Sequence, residues 1–402
     1  MILDKIKSNI KFAYPELKAL FTRELPDFVF KNNTKIENEI VIFSFHTPIP
    51  DIFEKQIRYL VENKYNVITT DEFHRYLFSD KPIPPNCIML TFDDCRASLW
   101  TVVYPILKKY GLTGVAYLSP YFIININEKR PQWNGNASGL QYIEVDRTSY
   151  PFASWEEIAE MHESGVIDFQ GHTFYHELIF ISPEIVDFIN PVGVWNFHNF
   201  DVPVVSEGVK KRYDRQYPLG TPIYKTDTRM SGKYQYYDDE RLREHCVRYV
   251  YNNGRERFFD NRNWKKKLIS EANKFRKSYG ERGCFETEEE MIYYLKTDLL
   301  MTRKTIEKRL SGKKVTSMCF PWENGSDIAI KMAKEAGYQS CVWGIIPGKK
   351  TNYSAQNPFY ICRISSDFIF RLPGKKRSSF FDIILYKFLK RIKRTTDIEL
   401  QI

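Results

Sequence analysis

At 402 residues, 43% hydrophobic and 15% aromatic, the chain can bury one large core with appendages, and apolar residues spread through its length exclude a disordered polymer. Asp4, Lys5, Lys7 and Lys11 interrupt the apolar core that a secretory signal needs, and no run reaches the roughly 18 apolar residues of a membrane span. The net charge of +9 is concentrated between Arg371 and Arg394, which hold nine basic residues and one acidic one; with no recognised binding module beside it, no nucleic-acid partner is expected.

Short Val/Ile/Phe-rich runs bounded by polar or Gly/Pro turns predict buried strands at about 40–46, 66–69, 87–92, 113–118, 166–170, 315–320, 339–343 and 359–364. Between them, residues 51–63 carry Ile52, Phe53, Ile57, Leu60 and Val61 at helical spacing, and 97–110, 154–163 and 326–336 behave alike. Gly111 and Gly337 follow two of these helices, where a C-terminal cap wants positive φ. Strand and helix alternating this often predict an α/β fold with a parallel sheet, open or closed into a barrel, whose site lies at the carboxyl ends of the strands. Residues 181–290 break the alternation and read as an insertion with helices near 239–252 and 262–279. Seven cysteines, an odd number with no Cys-x-x-Cys pair, suit a reducing cytoplasm.

Three strand ends carry chemistry-bearing residues: Asp93 and Asp94 follow IMLTF, His172 and His176 follow VIDFQ, and Pro321 follows VTSMCF. An acidic doublet alone is common in surface turns, as Asp238 and Asp239 illustrate. A four-residue His spacing sets two imidazoles on one side of a helical turn, able to share Zn²⁺ at about 2.0–2.1 Å per bond; the bland alternative is one capping and one packing histidine. Asp94 supplies a third ligand, and an open fourth position would lower the pKa of a bound water from 15.7 to about 7.

Through these motifs, residues 41–176 resemble the polysaccharide deacetylase family (carbohydrate esterase family 4, the NodB-homology fold). IFSFH ends at His46, LTFDD occupies 90–94 and HTFYH occupies 172–176, in the family's order. FPWENGSDIAIKMAKEAGY at 320–338 and NPFYICRIS at 357–365 are similar to later family segments. The resemblance implies a distorted (β/α) barrel with a large insertion, in which Asp94, His172 and His176 hold a divalent metal, most simply Zn²⁺. It also implies that a metal-bound water attacks the carbonyl of an N-acetylated sugar with Asp93 as general base. Thr173 is expected to order its loop by a local hydrogen bond. The implied layout is an N-terminal extension at 1–38, a barrel at 39–180 and 291–366 interrupted by the insertion at 181–290, and a basic tail at 367–402.

The chain departs from the family pattern in three places. No histidine follows His245, so the late His that often protonates the leaving amine is missing; His46 or Asp93 itself could carry that proton, with Asp93 alone preferred. The Arg expected just before the aromatic-Pro segment is absent from Ser317 to Phe320, and Arg363 is the substitute, unless it is an ordinary rim arginine. Cys95 stands where Gly is usual and suggests a slightly different turn. Pro321, Trp322 and Trp343 are candidates for substrate binding, Trp322 and Trp343 by stacking on a sugar ring, although core tryptophans are commoner.

In the tail, a helix over 379–394 would align Phe381, Ile384, Leu385, Phe388 and Ile392 on one stripe and Lys387, Lys390, Arg391 and Arg394 on another. That pattern fits a helix on an anionic membrane surface, or one packed on the barrel with a solvated basic face. The expected function is deacetylation of an N-acetylhexosamine in a glycan or a lipid- or nucleotide-linked precursor, in the cytoplasm or at the inner membrane face. An amidohydrolase on a non-sugar amide and a non-catalytic sugar-binding protein are the alternatives.

Overall fold

The computed structural model describes residues 16–32, 34–79, 81–135, 140–147, 150–191, 202–207, 210–212 and 216–397. Its frame is a curled parallel sheet of eight strands. The first five are β1 (Val41–Phe45), β2 (Asn66–Val67), β3 (Cys87–Phe92), β4 (Gly114–Leu118) and β5 (Ile167–Gly171), followed by Ser317–Cys319, Ser340–Val342 and Ile364–Ser365. The order across the sheet is Ser340–Val342, Ser317–Cys319, β5, β4, β3, β1, Ile364–Ser365, with β2 beside β3.

Every strand of this sheet but the last matches one of the sequence runs, because strands covered on both faces read as continuous apolar stretches. The last run differs. Instead of a strand over 359–364, Ile361 bridges Val342 while Ile364 pairs with Phe43 of β1, so this segment crosses between the two ends of the sheet and links them.

Period-two alternation sorts the side chains. Val41, Phe43, Phe45, Ile88, Leu90, Phe92 and Phe169 face the outer helices in one large cluster. Ile42, Cys87, Met89, Val115, Tyr117, Cys319 and Val342 fill a smaller cluster inside the curl. Helices Pro50–Glu62, Trp155–Glu163 and Asp327–Glu335 match the sequence reading, and Gly111 and Gly337 have φ of 65° and 87°.

The segment expected as one helix over 97–110 is a π-helical turn, Leu99–Val103, followed by Tyr104–Tyr110. Pro105 has no N–H to return to the carbonyl four residues back, and that carbonyl, of Thr101, accepts from Trp133 N at 2.7 Å instead. A 22-residue helix, Glu288–Arg309, packs on β5; its periodicity does not stand out in the sequence.

Between β5 and that helix, Leu178–Phe188 pairs antiparallel with Pro222–Thr228, and helices Glu240–Asn252 and Trp264–Tyr279 share a small apolar cluster of their own with Phe188. The tail forms the helix Phe380–Asp397. Its Lys387 does not lie on a solvated basic face. It is buried, pairing with Glu16 at 2.7 Å and Asp367 at 2.9 Å, because the helix lays this side against the barrel. Ile392, Lys390, Arg391 and Arg394 fall among residues whose side chains lie outside those described.

Candidate active site

The alternation that builds the barrel also aims the site residues. Cys87, Met89 and Thr91 of β3 point into the curl, and Asp93, next in that parity, continues the row just beyond the strand. In β5 the inward row runs through Asp168 and Gln170 to His172. Asp93 and His172 therefore stand over the barrel interior at the carboxyl ends of β3 and β5, with β4 between them, at the end of the sheet the sequence reading anticipated.

Asp93 is clamped. Arg363 Nη1 donates to Oδ1 at 2.7 Å and Nη2 to Oδ2 at 2.8 Å, a bidentate geometry. Arg363 is buried, which rules out a rim arginine. Two further donors go to Thr91 Oγ1 at 3.1 Å and to the Trp343 carbonyl at 3.0 Å. Burial pushes the Asp93 carboxyl up, but the Arg363 charge and hydrogen bonds outweigh it and hold the group below its ordinary value. His46 is exposed, its Nε2 3.9 Å from Asp93 Oδ2.

Asp94, His172 and His176 converge beside it, their ligand atoms all within 4.8 Å of one another. His172 Nδ1 lies 2.9 Å from the Cys319 carbonyl oxygen. That oxygen only accepts, so Nδ1 carries the proton and Nε2 turns a lone pair toward Asp94 Oδ1, 3.5 Å away. His176 Nε2 approaches the same oxygen at 3.6 Å. Lone pairs of imidazole and carboxylate facing one another suit a cation or an additional proton between them, and two imidazoles with a carboxylate are a fitting donor set for Zn²⁺ or a similar divalent ion.

Burial pushes the Asp94 carboxyl up, but His172, Arg96 and His176 hold it well below its ordinary value. Asp93, His172 and Cys319 also cluster. Asp93 is committed to Arg363, however, and burial keeps the Cys319 thiol far above its ordinary pKa, so the Asp94 set is the better cradle.

The two histidines are not on a helical turn. Residues 172–177 form a bent loop, with φ of 64° at Thr173 and 44° at His176. Two hydrogen-bonding devices hold it. Thr173 Oγ1 accepts from His176 N at 3.2 Å, the local bond expected of it. Asp298, on the helix Glu288–Arg309, accepts from Phe174 N at 2.8 Å and Tyr175 N at 3.2 Å. Asp94, Cys95, Trp322 and Glu323 also have positive φ, a concentration of strained backbone, each residue costing about 1–3 kcal/mol, that is typical of functional loops.

Trp322 packs on the His176 ring, centroids 4.1 Å apart, and so borders the cradle of Asp94, His172 and His176. Trp343 is committed to packing. Its indole N–H donates to the Phe359 carbonyl at 2.7 Å and its ring lies between Phe320 and Tyr360. Pro321 is buried at the strand end. Three contributors are not apparent in the sequence: Asp298, Arg96, whose Nε lies 3.3 Å from Asp94 Oδ2, and Glu323, whose Oε1 is 3.9 Å from Arg363. Only Arg96, two residues beyond Asp94, has a signal that local spacing could supply.

Fold and site together define a curled parallel α/β barrel bearing an arginine-clamped carboxylate beside a His/His/carboxylate cradle at the carboxyl ends of its strands. Residues 80–188 match the family model described as polysaccharide deacetylase, so the resemblance rests on the stretch that carries Asp93, Asp94, His172 and His176. The poly-beta-1,6-N-acetyl-D-glucosamine N-deacetylase of Escherichia coli (strain K12) is 23% identical over 172 residues, 42% of this chain and 24% of that protein. The protein of the same name from Staphylococcus aureus (strain MSSA476) is 29% identical over 176 residues, 43% of this chain and 51% of that protein. The chain thus spans about a quarter to a half of these relatives. A solved de-N-acetylase from Aggregatibacter actinomycetemcomitans superposes with a TM-score of 0.49 at 17% identity, covering 86% of this chain and 98% of that one.

Proposed function

We propose that the chain is a metal-dependent hydrolase that removes N-acetyl groups from a polymer of N-acetylglucosamine. The observation that carries the reading is the adjacency of Asp93, buried yet held ionised by Arg363, to the Asp94, His172 and His176 cradle. The names of the relatives supply the substrate. Asp94, His172 and His176 would hold the ion, which when bound polarises an amide carbonyl and acidifies water.

Asp93 then acts as general base. It takes a proton from the attacking water as the new C–O bond forms, and returns it to the amine nitrogen as the C–N bond breaks, leaving acetate and a free amine. Arg363 fixes the carboxylate's orientation and charge. The cysteines, all seven free and six of them buried, support a reducing cytoplasmic setting, which with zinc as the ion completes the proposal.

Acetate release from β-1,6-linked N-acetylglucosamine oligomers tests the reading. The zinc-loaded protein should turn over, and chelation or Asp93→Asn should reduce kcat by about 10²- to 10⁴-fold. Failure to release acetate from any N-acetylated sugar with the ion bound would favour a sugar-binding protein, and release from a non-sugar amide alone would favour a different amidohydrolase. Because His46 is exposed and beyond hydrogen-bonding distance of Asp93, His46→Ala should retain measurable turnover. A loss as complete as that of Asp93→Asn would move the acid role to His46.

A further inference from the structure

The C-terminal helix Phe380–Asp397 has two unlike faces. Toward the barrel, Ile383 is 3% exposed and Lys387 7%, and the Lys387 ammonium reaches Glu16, Asp367 and Ser365. A buried cation bound to two carboxylates fixes the rotation of the helix about its own axis. Away from the barrel, Phe381 is 71% exposed, Leu385 43%, Phe388 60% and Leu389 54%. Spacings of four, three and one bring these to one side of a helix, a contiguous apolar face of the kind soluble surfaces avoid.

We propose that this face docks on an anionic lipid bilayer, the helix lying in the headgroup layer with Phe381, Leu385, Phe388 and Leu389 turned toward the acyl chains. Charge selects the occupant. Lys375 and Lys376 precede the helix, and Lys390, Arg391, Lys393 and Arg394 follow its apolar residues in the sequence, so the face sits within a basic segment that an anionic surface complements. The competing occupant within the chain is residues 1–15, which carry Lys5, Lys7 and Lys11 against Asp4 and so do not complement a basic helix. No helix among the described residues is long and apolar enough to cross a membrane, so the mode is surface docking.

The buried side of the helix is anchored independently of the exposed one: Tyr386 and Lys387 line a cavity of about 360 Å³ together with His46, Thr47, Ser366 and Asp367. The inference goes beyond the deacetylase reading and does not depend on it.

Vesicle flotation of the full chain tests it, with phosphatidylcholine alone and with phosphatidylglycerol added. The protein should float with the anionic vesicles only, less so as salt rises. Phe381→Glu combined with Phe388→Glu should reduce recovery about tenfold or more while leaving the melting temperature and acetate release from soluble oligomers unchanged. Failure of the unmodified chain to float with anionic vesicles overturns the proposal, as does equal flotation of the double variant. If the unmodified chain stays unbound but self-associates, and the double variant is monomeric, the face belongs to a second copy and the proposal is likewise overturned.

Discussion

Asp93 and Arg363 are separated by 270 positions in the chain yet exchange two hydrogen bonds in a buried setting. Arg363→Met keeps most of the side-chain volume but leaves the carboxylate buried without its counter-charge, which costs about 3–5 kcal/mol. Burial is then opposed only by His172 and His46, and the pKa of Asp93 rises. The variant should unfold at lower denaturant, and the acid limb of its pH–rate profile should move to higher pH; an unmoved limb would show that Arg363 does not keep the base ionised. Asp93, Asp94, His172 and His176 were legible because short motifs at strand ends carry them. Arg363 could be named only as one of two readings, since its pairing depends on how the sheet curls. The loop of His172 and His176 was misread as a helical turn because a spacing of four is shared by helices and tight loops, and nothing at Thr173 or His176 announces a positive φ.

At the scale of elements, the loop that presents the two histidines is tied to the helix Glu288–Arg309 through Asp298. Asp298→Asn leaves a single acceptor for the two backbone donors, Phe174 N and Tyr175 N. Supporting contacts of this kind commonly govern metal affinity by about 10- to 100-fold. The variant should bind Zn²⁺ about tenfold or more weakly by calorimetric titration, with the helix content of the protein unchanged, and equal affinity would reduce Asp298 to a packing role. This helix was hard to see in the sequence for a related reason. Its buried stripe runs Met291, Leu295, Asp298, Leu299, Thr302, Ile306, and the polar members that dilute the apolar period include the residue that serves the site. The strands of the main sheet were legible except the last, their two covered faces giving apolar runs that alternation with charged helices brings into relief; the antiparallel pair Leu178–Phe188 and Pro222–Thr228, with its mixed burial, was not.

For the whole molecule, acid sensitivity should come from the amino ends of the strands, opposite the site. His74 is buried there, its Nε2 2.8 Å from Ser340 Oγ. Burial lowers its pKa to about 4, with Asp71 and Asp168 opposing and Lys313 assisting. The unfolded chain takes up this proton near pH 6.5 and the folded one only near 4, so the native state binds fewer protons between those values. Its stability is complete above about pH 6.5 and falls by up to about 3 kcal/mol as pH drops through that window. The urea midpoint should therefore decrease from pH 7 to 4.5, and His74→Asn should flatten the decrease; an equal slope in the variant would assign the acid sensitivity elsewhere. The segment that joins the two ends of the sheet has a consequence for biogenesis. A ribosome that has delivered residues up to His176 has supplied Asp94, His172 and His176, whereas the partner of Asp93 emerges only with the strand that links the sheet's ends. Because synthesis runs from the N-terminal end, Asp94, His172 and His176 are all present in the growing chain long before Asp93, the proposed base, receives its counter-charge, and the proposed catalysis has to wait until the circle of strands is complete.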